Sequence, residues 1–180
     1  MRLFFIFVFT LTSYLIYGQS YNPASKKLYQ EAYLIIKSDT AFQKFRGSSS
    51  CVAVFDSIVH LNQLNFAEEL GRKWKYSGYK KMNRLHDSLS TLDASGYHKP
   101  YFSRLTARLT STSGTDKGCM VVMFSRLSND MLLAEVSNNQ DGGPSVRSIL
   151  SLFDQSIIYL FLIGPDSKIQ QYYTQFVSYN

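Results

Sequence analysis

The side chains best suited to nucleophilic, acid–base or metal chemistry are His60, His86, His98, Cys51 and Cys119. Asp56 and His60 stand four apart, so on a helix they share a face and could supply two metal ligands. A metal centre needs a third ligand and a second shell, and no H-E-x-x-H spacing is present. The pair therefore reads as an ordinary surface or capping contact. His86 and Asp87 are adjacent, so on a helix they diverge. Cys51 and His60 are nine apart, about half a rotation on one helix, and fall on opposite faces. No G-x-S-x-G elbow accompanies the serines. Glu68 and Glu69 point to different helical faces, and the other carboxylates are scattered singly. Gly142-Gly143-Pro144-Ser145 lacks the Walker spacing and its lysine. The residue types thus lean towards binding rather than catalysis, with no cofactor or metal expected. The rival reading is a small secreted hydrolase whose site is assembled across the fold.

One stretch stands out by charge. Arg72, Lys73, Lys75, Lys80, Lys81 and Arg84 occur with no acid among them, interleaved with Trp74, Tyr76 and Tyr79. Cations beside aromatic faces suit sulfated glycans, phosphates or anionic lipid heads. The plainer alternative is the solvated face of two helices with Trp74, and with it Tyr79, turned inward as core.

The elements that must position these groups change character near residue 98. Between Asn22 and Phe45, Leu28, Ala32, Ile35, Phe42 and Phe45 form a helical stripe, with Pro23 suited to a first turn and a break expected near Ser38-Asp39. Cys51, Val54, Phe55, Ile58 and Val59 recur at helical spacing, although their β-branched content keeps a buried strand in competition. Asn65 to Glu68 resembles a capping box, with Phe66, Leu70 and Trp74 behind it. Met82, Leu85, Leu89 and Leu92 give a further helical stripe, ended by Asp93-Ala94-Ser95-Gly96.

After Pro100 the period becomes two. Ser103, Leu105, Ala107 and Leu109 alternate with polar residues as a half-exposed strand. Residues 113–118 read as a turn, and 119–124, 131–136 and 157–163 as short apolar strands. Gly164 to Ser167 reads as a hairpin turn into a polar, Tyr-rich strand over 168–177. Residues 138–145 are the longest breaker-rich stretch in this half, and 146–153 suit either helix or strand. The expectation is an α+β protein: three or four N-terminal helices, then an antiparallel meander of about five strands, with helices on one face. In layout alone this resembles the cone-shaped nuclear-transport-factor-like folds.

Composition bounds the class. The chain has 180 residues, 45% hydrophobic and 18% charged, with 13 Phe and 13 Tyr, which excludes a disordered chain. Residues 1–18 read as a signal peptide: Arg2 is the basic start, and Leu3 to Tyr17 carry no charge. A segment of about 15 residues falls short of the roughly 20 that span a bilayer. Cleavage is expected after Gly18 or Ser20, leaving 19–180 as one periplasmic or extracellular domain. The formal charge of +6 becomes +5 once Arg2 is removed. Export argues against a nucleic-acid partner and permits a Cys51–Cys119 bridge, with two buried thiols as the alternative.

The apolar strands break the alternation that one covered face would require. Ile157, Ile158, Tyr159, Leu160, Phe161 and Leu162 are apolar without interruption. The second face must meet other parts of the chain, a second subunit in a homodimer, another protein, or an apolar ligand.

Overall fold

In the computed structural model, residues 23–112, 118–128, 130–138 and 155–178 are described. Helix α1 (Pro23–Ser38) ends where the sequence places a break. Asp39 is extended there, and its carboxylate accepts from the amides of Ala41 at 2.6 Å and Phe42 at 3.1 Å. Those bonds satisfy two of the free amides that begin α2 (Thr40–Arg46), as an N-cap does.

Residues Val52–Ile58 form strand β1, not the helix that spacing favoured. Ala53, Val54, Phe55, Ile58 and Val59 are all buried, so both faces of the strand are covered. Asp56 and Ser57 interrupt the apolar run, and the pairing register shifts between Val54 and Ile58. Two apolar pairs four residues apart then imitate a 3.6-residue period. Because Val52–Ile58 is a strand, Asp56 and His60 do not share a helical face.

A 3-10 turn (Gln63–Phe66), α3 (Ala67–Lys73) and α4 (Tyr79–Ser95) follow. The expected box at Asn65 is absent, since no side chain caps α3. The carboxylate of Asp93, thirty residues away, accepts from the amides of Gln63 and Leu64, each at 3.0 Å. Glu68 and Glu69 in the first turn of α3, with Arg72 and Lys73 in its last, match the helix dipole.

The strand expected over 103–110 is a chain of turns after the two-residue strand β2 (Tyr101–Phe102). Leu105 and Thr106 are buried side by side, and the amide of Ala107 bonds the carbonyl of Ser103 at 2.9 Å. The hydroxyl of Thr110 accepts from the amide of Val54 at 2.9 Å and so occupies a position that a strand carbonyl would fill.

Strands β3 (Met120–Phe124), β4 (Met131–Asn138), β5 (Gln155–Ile163) and β6 (Ile169–Ser178) fall where the apolar runs place them. The expected turns at 113–117 and 139–145 and the segment 146–153 lie outside the described residues. The sheet order is β2-β1-β3-β4-β5-β6. All pairs are antiparallel except β1 with β3, so the α+β class holds with a mixed sheet.

Cys51 and Cys119 immediately precede that parallel pair. Val52 is in register with Met120, and the Met120 amide donates to the Cys51 carbonyl at 2.9 Å. The two cysteines are consequently neighbours, with Cα atoms 4.6 Å apart, and form a disulfide.

The helices do not share one face. Leu28, Tyr29, Ala32, Ile36 and Phe42 of α1 and α2 pack on Val122, Phe124, Leu132, Ala134, Val136, Ile157, Tyr159 and Phe161. Phe66, Leu70, Leu85 and Leu89 pack on Met131, Leu133, Ile158, Leu160 and Leu162, the side chains of opposite parity. The result is three layers, helix–sheet–helix, instead of a cone covered on one side. It also accounts for the unbroken apolar strands, because a strand under two layers has no polar face.

Candidate functional site

The carboxyl ends of the parallel strands meet the carboxyl end of α4. Val59 continues β1 by donating to the Phe124 carbonyl at 2.9 Å, and the chain then leaves through His60 and Leu61. From β3 it leaves through Ser125, Arg126 and Leu127. Between these exits and Leu92, Asp93, Gly96 and His98 lies a cleft of about 360 Å³. Clefts outside the carboxyl ends of parallel strands are common ligand sites in open sheets, an analogy of place only.

One wall of the cleft is aromatic. His60 meets Tyr97 with ring centroids 5.5 Å apart and His98 at 5.8 Å, and His98 meets Tyr101 at 5.2 Å. Gly96 suits the end of α4, where a Cβ would stand 2.9 Å from the Leu92 carbonyl oxygen. The Nδ1 of His98 donates to the Lys99 carbonyl at 3.1 Å, which fixes the ring. Val59, Leu61, Leu127, Met131 and Leu133 line the apolar part. Below it the Tyr29 hydroxyl donates to the Ser125 carbonyl at 3.1 Å, and burial holds that phenol well above its ordinary range.

The cleft gathers histidines with serines, the mark a hydrolase would carry, and the hydroxyl of Ser125 and the carboxylate of Asp93 are engaged elsewhere. The Ser125 hydroxyl donates to the Arg126 carbonyl at 3.1 Å and accepts from the Leu133 amide at 3.0 Å. Both Asp93 oxygens are taken by backbone amides. Among the described residues no hydrogen bond links His60 or His98 to a serine or a carboxylate. Nor does any group of three His, Cys, Asp or Glu side chains there suit a metal ion. Among the described residues the hydrogen bonds of a nucleophile–base–orienter chain are not present at this cleft.

A smaller cavity of about 210 Å³ shares His60, Leu61 and Leu133 with the cleft and continues to Asn62, Phe66, Glu135, Ile158 and Val177. Of the β5 residues singled out by sequence, Ile158 and Tyr159 border it. Ile157, Ile158, Tyr159, Leu160, Phe161 and Leu162 are at most 7% exposed, so β5 is core and presents no outward apolar face.

The basic stretch lies at the corner joining α3 to α4. Gly71 sets the corner, because a Cβ on it would meet Sδ of Met82 at 2.8 Å; its absence lets the helices close. Lys75 at φ 57° and Gly78 at φ 84° turn the chain. Arg72, Lys73, Lys75, Lys80, Lys81 and Arg84 are all exposed. Arg72 pairs with Glu69 at 3.2 Å, and the other five have no carboxylate within ion-pair distance among the described residues. Trp74 is 40% exposed, Tyr76 42% and Tyr79 81%, so neither Trp74 nor Tyr79 is turned inward as core. Trp74, Lys75, Tyr76, Lys81, Arg84 and Ser88 line a shallow groove of about 480 Å³.

Fold and sites together describe a disulfide-linked three-layer α+β protein with a charged aromatic corner and a cleft at its strand ends. The chain matches no family model, no curated protein and no solved structure. Among the described residues no helix is long and apolar enough to cross a membrane.

Sequence reasoning found the corner by composition. It missed the cleft, whose lining comes from four separate stretches of chain. The adjacency of Tyr97 and His98 after a helix stop was its one local trace.

Proposed function

We propose that the protein is an exported, non-enzymatic binding domain that holds acidic glycan chains at the α3–α4 corner. The observation that carries this reading is a groove lined by two half-exposed rings, Trp74 and Tyr76, and three cations, Lys75, Lys81 and Arg84, with Tyr79, Arg72, Lys73 and Lys80 exposed on the same corner. A ring face stacks against a sugar, and the cations answer its sulfates or carboxylates. The groove is concave, and beside Trp74 its aromatic lining is Tyr76, a ring with a polar tip, which favours a polymer lying along it over an inserting membrane wedge.

The leader over residues 1–18 and the Cys51–Cys119 bridge support the periplasm or exterior as its place of work. N-terminal sequencing of protein recovered from the host's envelope fractions is expected to start at Gln19 or within two residues of it. An intact Met1 on membrane-bound protein would overturn the export reading.

Binding to immobilised heparin tests the corner. Wild-type protein is expected to be retained at low salt and released as salt rises, because exposed charge contacts are screened by ions. The variant carrying Glu at positions 73, 75, 80 and 81 in place of Lys should pass through unretained. Trp74→Ala should weaken retention on heparin more than on a sulfonate exchanger of equal charge, since only the glycan offers a sugar face. Equal retention of wild type and charge-reversed protein, or retention of neither, defeats the proposal. Binding to phosphatidylserine vesicles that survives excess heparin would transfer the surface to lipid.

A further inference from the structure

We infer that the cleft at the carboxyl ends of β1 and β3 is a second binding site, independent of the corner, for a small amphipathic organic anion with a planar apolar body. Charge distribution sets the orientation. Arg126 is exposed at the cleft and has no carboxylate within ion-pair distance among the described residues. The carboxylate in the cleft's own lining is buried: Asp93 is 8% exposed, and Glu135, in the adjoining cavity, is 5% exposed. An anion entering buried end first would meet both. An anion held at Arg126 meets a guanidinium with free donors, the side chain best shaped for a carboxylate, sulfonate or phosphate.

The body of the ligand then lies inward. The His60–His98 wall offers ring faces and edges, and Leu61, Leu127 and Leu133 offer an apolar floor. A volume of about 360 Å³ is at the small end of ordinary ligand pockets, which fits a two- or three-ring acid. The corner's ligand and the cleft's ligand are therefore of different kinds.

The test uses 8-anilinonaphthalene-1-sulfonate, whose fluorescence rises in apolar surroundings, with the intact disulfide-bonded protein. Saturable one-to-one binding is expected. Arg126→Gln, a change at an exposed side chain, should weaken it about tenfold or more, the worth of a charge-assisted contact. Ser128→Trp, which fills the mouth from an exposed position, should abolish it. The neutral probe N-phenyl-1-naphthylamine should bind wild type more weakly than the sulfonate and be indifferent to Arg126→Gln. Reversal of Lys73, Lys75, Lys80 and Lys81 should change sulfonate affinity less than twofold, while it abolishes heparin retention if the corner reading holds. Near-ultraviolet circular dichroism of each variant must match wild type, so that fluorescence reports the cleft and not a loosened core. Affinity lost on charge reversal at the corner and kept in Arg126→Gln would overturn the inference. So would neutral and anionic probes binding wild type equally, or no saturable binding.

Discussion

Ile158→Asp and Tyr159→Asp are each expected to unfold the protein, although the two side chains point to opposite faces of β5. Tyr159 is fully buried beneath α1 and α2, and Ile158 is 5% exposed beneath the 3-10 turn and α3. An ionised carboxylate at either position would be taken from water into a layer of apolar side chains. The expected loss exceeds about 4 kcal/mol in each case, a size that few single substitutions reach. Urea unfolding followed by circular dichroism measures it. Tyr159→Phe supplies the control, because the Tyr159 hydroxyl has no hydrogen-bond partner among the described residues. Its removal should leave stability unchanged or slightly raised. A folded Asp variant at either position, with wild-type stability, would mean that the helical layer does not cover that face. No change from dimer to monomer should accompany the loss, since both covers belong to the chain itself.

Replacing both Cys51 and Cys119 with Ser is the second large effect. The bridge closes a separation of 68 residues in sequence and clamps the start of the single parallel pair in the sheet. By the chain-entropy relation a loop of that size stabilises the folded state by about 4 kcal/mol. For a protein of this length that corresponds to a fall in Tm of roughly 10 °C. Differential scanning calorimetry of the double variant, and of wild type with and without dithiothreitol, reads it directly. The double variant should ignore dithiothreitol and melt with reduced wild type. Equal melting of oxidised wild type and the double variant would show that the bridge contributes nothing to stability.

These two results bear on function through rigidity. The bridge holds one end of the β1–β3 pair and the cleft opens at the other, so the same two strands carry both. Weakening the clamp is expected to act on the cleft before it acts on the corner, which rests on the packing of α3 against α4 around Gly71 and Met82.

Much of the fold was legible where one physical signal acted alone. The stripe of α1, the Asp39 break, the stripe of α4, the four longer strands and the hairpin at Gly164 all follow from local pattern, cap and turn chemistry. Two segments misled for stated reasons. In β1, burial on both faces removed alternation, and Asp56-Ser57 divided the apolar residues into pairs at helical spacing. Over 103–110 a true alternation belonged to turns, because Thr110 and Ser103 satisfied the edge of β1 from outside a regular ladder.

The amino-acid sequence by itself determined the α+β class, the concentration of cations and aromatic rings between residues 72 and 84, and an interior strand with no polar face. Each is a property of neighbouring residues, so each can be read along the chain. Only the tertiary structure decided that helices cover both faces, that Cys51 and Cys119 meet, and that Trp74 remains half outside. It alone brought His60, Asp93, His98 and Arg126 around one cleft. The meeting of the cysteines and the strand exits that frame the cleft depend on the parallel docking of β1 beside β3 across more than sixty residues. Long-range pairing of that kind is selected by the burial of the whole core, and no local spacing encodes it.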